Sequence, residues 1–174
     1  ADGENYYDYQ ALLVGDSKGN IIKKENITTV RPLASITKVM TSILTLEKIR
    51  SGAISMNDRV TISETASVIP YGIKLVAGKE YTVEDLLKAT IIRSSNNAAY
   101  ALAEYVSGGN IPGFVNSMNN KAKQFGLSSL RFCTPHGLPP GDTGTCMDQG
   151  NAKDLYALAL KAVEYREYLN ISRN

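Results

Sequence analysis

The sequence predicts an α/β chain of the α+β type, in which a short antiparallel hairpin is followed by helices that pack on a sheet. Two observations carry this. Tyr9–Gly15 and Asn20–Asn26 are short strand-like runs on either side of the turn Asp16-Ser17-Lys18-Gly19. Behind them, five stretches place apolar residues at helical spacing, with caps or breakers at their ends. The composition fits a single globular domain: 174 residues, 43% hydrophobic and 21% charged, with neither an internal repeat nor a linker.

The first helical run begins after Pro32. Ile36, Val39, Met40, Ile43, Leu44 and Leu46 recur on one side until Ser51-Gly52 ends the pattern. Asp58–Ser63 alternates as a short strand does, whereas Val68–Lys79, broken by Pro70, Gly72 and Gly78, reads as an irregular loop. Thr82 is a suitable N-cap for a second helix over Val83–Ile92, because Glu84 and Asp85 put negative charge in its first turn. The polar break Arg93-Ser94-Ser95-Asn96-Asn97 separates it from a third, Ala98–Val106. A fourth runs from Pro112 to Phe125 with Phe114, Met118, Ala122 and Phe125 on one stripe, closed by Gly126. Thr134–Gly150 is loop-like, and a fifth helix covers Ala152–Tyr165.

Several function classes are excluded early. A net charge of +2, from 19 basic and 17 acidic residues, supplies no field to hold a polyanion, so nucleic acid is not an expected partner. No stretch approaches the roughly 20 apolar residues of a membrane span. The polar start Ala1-Asp2-Gly3-Glu4-Asn5 is not a signal peptide, although a secreted protein already relieved of its signal would look the same. Cys133 and Cys146 flank a Gly/Pro-rich stretch and serve equally as a disulfide or as two thiols. A metal site is not expected, because His136 is the only histidine and neither cysteine belongs to a C-x-x-C pair.

Two patterns can carry chemistry. In Ser35-Ile36-Thr37-Lys38, a serine and a lysine three apart at a helix start share one face, so the amine can reach the hydroxyl. Serine is a poor nucleophile until a base takes its proton, and lysine becomes a base once burial disfavours its charged form. The unpaired N–H groups of the helix start can face a developing oxyanion. Ser-x-x-Lys also occurs on many solvated helix faces. In Ser94-Ser95-Asn96, a hydroxyl able to relay protons and an amide able to bind a carbonyl lie two apart between helical runs, though Asn96 would serve equally as a plain helix cap.

Three segments together resemble the low-molecular-mass penicillin-binding proteins, the serine-type D-alanyl-D-alanine carboxypeptidases. Pro32-Leu33-Ala34-Ser35-Ile36-Thr37-Lys38-Val39-Met40-Thr41 is similar to the family's active-serine segment. Gly78–Leu87, running into Ile92–Ala99, resembles its second segment, and Thr134-Pro135-His136-Gly137-Leu138 a later turn. The resemblance implies a β-lactamase/transpeptidase-like fold, with helices on a five-stranded antiparallel sheet. It implies that Ser35 attacks the carbonyl between two D-alanines, Lys38 takes its proton, Ser94 passes a proton to the leaving D-alanine and Asn96 holds the substrate amide. The implied substrate is a peptidoglycan stem peptide ending in D-Ala-D-Ala, the implied inhibitors are β-lactams, and the implied location is extracytoplasmic. No cofactor or metal enters that chemistry.

One departure from the family pattern matters. The Lys-Thr/Ser-Gly strand follows the Ser-x-Asn triplet by roughly a hundred residues in such proteins, which from Ser94 lies beyond Asn174. Asp142-Thr143-Gly144 is the nearest imitation and lacks the lysine. The expectation is therefore that residues 1–174 form the N-terminal portion of one catalytic domain, without the C-terminal sheet strands, impaired alone and prone to self-association through an exposed sheet edge. Competing readings are a β-lactamase, although none of Glu80, Glu84 and Glu104 stands in a recognisable deacylating loop, a Ser-His-Asp hydrolase, which would need His136 although that residue sits in a turn between Pro135 and Gly137 and no G-x-S-x-G segment is present, and a non-catalytic peptidoglycan-binding module.

Overall fold

Thr37–Arg50 forms α1, a helix with no solvent-facing stripe in its first turns. Met40, Ile43 and Leu46 are fully buried, and so are Thr37, Thr41 and Thr45. Two of its buried hydroxyls bond one turn back: Ser42 Oγ donates to Lys38 O at 2.8 Å and Thr45 Oγ1 to Thr41 O at 2.9 Å. The computed structural model describes residues 12–15, 21–25, 31–32, 36–143 and 146–174, with side chains for 36–142 and 146–174.

The chain order is β1 (Leu12–Gly15), β2 (Ile21–Glu25), β3 (Arg31–Pro32), α1, β4 (Arg59–Thr61), α2 (Glu64–Ser67), β5 (Glu80–Thr82), α3 (Val83–Arg93), α4 (Asn96–Ser107), α5 (Ile111–Gln124), α6 (Pro140–Thr143), β6 (Gln149–Gly150), α7 (Ala152–Val163) and α8 (Arg166–Ser172). The strands pair antiparallel in twos: β1 with β2, β3 with β6, β4 with β5. This is the expected α/β class, mostly helical with small antiparallel strand pairs. The register Leu12↔Glu25 through Gly15↔Ile21 bears out the hairpin, while its turn and outer ends fall outside the described residues.

All five expected helices are present, shifted by one or two residues at some ends. Their caps explain the bounds. Thr82 accepts from Asp85 N, Asn110 from Gly113 N with Pro112 in the first turn, and Asn151 from Asp154 N. The third begins at Asn96, because the cap is Ser95, accepting from Ala98 N, and not Asn96. Other differences have short-range causes. The strand over Asp58–Ser63 shrinks to Arg59–Thr61, where only Val60 points inward, and pairs with Glu80–Thr82. The expected loop Thr134–Gly150 contains α6 and β6, too short to show a period. Helix α8, about two further turns past Tyr165, buries Ile171.

Two apolar clusters lie on either side of α1. One joins Met40, Ile43 and Leu44 to Phe114 and Met118 of α5, Phe132, and Leu158 of α7. The other joins Leu46 to Val60, Ile62, Leu86, Leu87, Leu102 and Ile171. Helix α1 is thus a buried axle whose first turn is held rigidly, and that turn carries Lys38.

Candidate active site

Lys38 sits in the first turn of α1 with 3% of its surface exposed. Its Nζ donates to His136 O at 2.9 Å. Ser35, the expected nucleophile, lies outside the described residues. One helical turn on from Lys38, Thr41 Oγ1 donates to Pro135 O at 2.6 Å, so α1 holds two successive carbonyls of one turn.

That turn is built from within. Thr134 Oγ1 accepts from Gly137 N at 2.8 Å, and Gly137 has φ 88°, a conformation that favours glycine. His136 Nδ1 accepts from Leu138 N at 3.1 Å, and its ring stacks on Tyr100 of α4 with centroids 6.1 Å apart. Asp148, fully buried, accepts from Cys133 N, Thr134 N and Thr134 Oγ1. The cysteines are joined as a disulfide, with Cα atoms 5.6 Å apart and 13 positions between them in sequence, which settles the choice the sequence left open. Opening a loop of this size is expected to cost about 3 kcal/mol in the chain-entropy account. Thermal melts with and without reductant measure it, and an unchanged melting temperature would show that hydrogen bonds alone hold the turn.

Burial dominates the electrostatics. It lowers Lys38 to about 8 against the opposing pull of Asp148, so roughly a tenth of the amine is free at pH 7. It lowers His136 to about 4, with the nearby Lys38 charge acting in the same direction. His136 is therefore a weak base, and its Nδ1 accepts from Leu138 N, so it is not the N–H donor that a triad carboxylate would orient, which counts against the Ser-His-Asp reading. Asp148 is raised by burial, with the three donors and Lys38 opposing.

The second motif stands at the junction of α3 and α4, both of which pack on α1. Ser94 ends α3 in a left-handed conformation, φ 53°, and is partly exposed. Asn96 Nδ2 donates to Pro70 O at 3.0 Å and Asn96 N to Tyr71 O at 3.4 Å. Asn97 Nδ2 donates to Ile73 O at 2.6 Å, Ile73 N to Ser95 Oγ at 3.2 Å, and Ser95 Oγ to Asn97 Oδ1. The loop at 70–73 is thereby fastened to the Ser-x-Asn segment. Among the described residues no hydrogen bond links Lys38 directly to Ser94 or Asn96; α1 and the turn at 134–138 connect them.

The glutamates of the β-lactamase reading are engaged elsewhere. Glu80 pairs with Arg59 and Glu84 with Lys88 on the surface, and Glu104 accepts from Ser63 Oγ. Asp142 and Thr143 lie in α6 and not on a strand, so they do not imitate a Lys-Thr-Gly edge. No group of three or more His, Cys, Asp or Glu side chains suited to a metal occurs among the described residues, and no helix there is long and apolar enough to cross a membrane. The residues that motif reading missed are Thr41, Gly72, Asn97 and Asp148. Thr41 and Asn97 lay inside segments already singled out, and the turn Thr134-Pro135-His136-Gly137 hinted at the surroundings of Asp148.

Residues 5–173 match the family described as D-alanyl-D-alanine carboxypeptidase. The chain belongs to that family. It is 35% identical over 164 residues to the D-alanyl-D-alanine carboxypeptidase DacF of Bacillus subtilis, covering 94% of this chain and 40% of DacF. With DacC of Escherichia coli it shares 33% identity over 148 residues, 79% of this chain and 36% of the relative. Among solved structures, the D-alanyl-D-alanine carboxypeptidase DacD of Francisella tularensis superposes with a TM-score of 0.86 at 30% identity, covering 95% of this chain and 39% of that one. Penicillin-binding protein D2 of Listeria monocytogenes in its cefotaxime bound form gives 0.76 at 28% identity, over 89% of this chain and 62% of that one. The chain thus spans about 40% of the length of DacF. The fold is that of the penicillin-binding carboxypeptidases, and the β-lactamase alternative gains no support from these relatives.

Proposed function

We propose that the full-length protein is a serine D,D-carboxypeptidase that removes the terminal D-alanine from peptidoglycan stem peptides on the outer side of the bacterial cytoplasmic membrane. The observation that carries the reading is Lys38: a lysine in the first turn of a buried helix, 3% exposed, lowered to about 8 and oriented by one carbonyl. Such an amine is poised to accept a proton at neutral pH. In this reading Ser35 Oγ bonds to the carbonyl carbon of the penultimate D-alanine while its proton passes to Lys38 Nζ. Ser94 relays a proton to the leaving amine, and Asn96, fastened to Pro70, binds the substrate amide. Water then releases the acyl group. β-Lactams enter by the same attack, since their amide replaces the D-Ala-D-Ala bond. The family membership and the Listeria relative with bound cefotaxime support this reading.

The test is release of D-alanine from a D-Ala-D-Ala peptide by the full-length protein, run beside labelling with fluorescent penicillin. Release of D-alanine and a long-lived label on Ser35 are expected. Fast penicillin turnover without D-alanine release would replace the reading with a β-lactamase, and neither reaction from a folded protein would leave a peptidoglycan-binding module.

A further inference from the structure

Asp148 is a fully buried acid that the reaction as proposed does not use. Among the described residues its three donors come from Cys133 and Thr134, the start of the turn whose next two carbonyls receive Thr41 and Lys38. Three neutral donors only partly repay the burial of a carboxylate, and such a charge persists best beside a cation. Lys38 is the one lysine or arginine buried among the described residues, and it interacts electrostatically with Asp148. The other titratable group facing them is His136, held neutral, with the Tyr100 ring stacked against it.

We infer that Asp148 is a positioning residue for Lys38: it shapes the turn that presents the His136 carbonyl, and its negative charge stabilises the ammonium that Lys38 becomes on taking the proton of Ser35. The proton leaves Ser35 Oγ as Oγ bonds to the acyl carbon and arrives on the lone pair of Lys38 Nζ. Among the described residues the new cation donates to His136 O, and Asp148 is anchored at the start of the same turn. Burial alone would leave an amine that is free but too weak a base. The carboxylate restores its basicity, and the two effects together leave the amine at about 8. The part of this inference that concerns Ser35 rests on the proposed function; the coupling between Asp148 and Lys38 does not.

The experiment therefore reads the coupling directly, by carbon-13 NMR titration of the Lys38 side chain in the full-length protein and in Asp148→Asn. Asparagine keeps an oxygen for Cys133 N and Thr134 N and turns its amide toward Thr134 Oγ1, so the turn survives while the charge goes. The Lys38 midpoint is expected near 8 in the native protein and lower in the variant. The acid limb of penicillin acylation should move down in pH with it, and the plateau rate should fall by less than the roughly hundredfold minimum for loss of a general base. An unchanged or higher Lys38 midpoint in the folded variant overturns the inference. Should Asp148→Asn not fold, Lys38→Met supplies the reciprocal reading, because two coupled groups shift one another equally. The Asp148 carboxyl midpoint should rise when the cation is removed, and an unchanged midpoint overturns the inference. Neither titration depends on catalysis, so failure of the enzymatic reading would show separately as absent acylation beside a normal Lys38 shift.

Discussion

Lys38→Arg is expected to lower acylation of the full-length protein by labelled penicillin by roughly 10²- to 10⁴-fold, the range for loss of a general base. The site is closed around the amine: 3% of Lys38 is exposed, and among the described residues its Nζ donates to His136 O at 2.9 Å. A guanidinium in that place stays protonated at any working pH and cannot accept the serine proton. The pH dependence of the native protein follows from the same group. With Lys38 at about 8, the free amine is roughly a tenth of the population at pH 7 and falls about tenfold for each unit below. Acylation should therefore climb through neutral pH and level off above 8. His136, neutral down to about 4, contributes no step in that range. Stability moves with the same sign. The folded midpoint of Lys38 lies below its unfolded value of 10.5, so the unfolded chain binds more protons between the two and stability from this group rises as pH goes from about 8 to 10.5. Single-turnover labelling across pH 6 to 9 checks the kinetic part, and native-like rates from Lys38→Arg would remove Lys38 from the mechanism.

Gly72→Ala is expected to cost about 3 kcal/mol or more and to depress acylation together with stability. A Cβ on Gly72 would lie 2.0 Å from Asn97 Oδ1 and 2.4 Å from its Cγ. Asn97 cannot simply swing away, because its amide donates to Ile73 O and its oxygen accepts from Ser95 Oγ and Ala98 N. Moving it strands buried polar groups at roughly 1–3 kcal/mol each. Asn96, bonded to Pro70 and Tyr71 of the same loop, moves with it, and the amide proposed to bind substrate shifts with the loop. Chemical denaturation and penicillin labelling measure the two losses. A variant with native stability and a native labelling rate would show that the loop gives way freely and does not brace the Ser-x-Asn segment.

The helices were readable because each carries its own signals. Val83–Arg93 has the Thr82 cap and acidic first turn, and Ile111–Gln124 has the Asn110 cap and Pro112. Glu80–Thr82 was not readable as a strand, since nothing in three residues reports the partner 21 positions away that Arg59 and Glu80 bridge by an ion pair. Asp148 gave no motif for the same reason. Its donors lie 14 and 15 residues earlier, and a lone acid in a loop reads as solvated until the fold closes over it.

By itself, then, the sequence determined the α/β class and the five main helices, because helical periodicity, caps and short motifs are local and survive in a linear reading. The tertiary structure alone decided that Cys133 and Cys146 are joined, that Ser95 and not Asn96 caps α4, and that His136 serves the turn through its carbonyl and not as a base. It also decided how basic Lys38 is. The basicity of a lysine is set by how much water is excluded from it and by which charges share its surroundings. Here that environment comes from α1, from the turn at 133–138 and from Asp148, brought together over 98 residues of chain between Lys38 and His136.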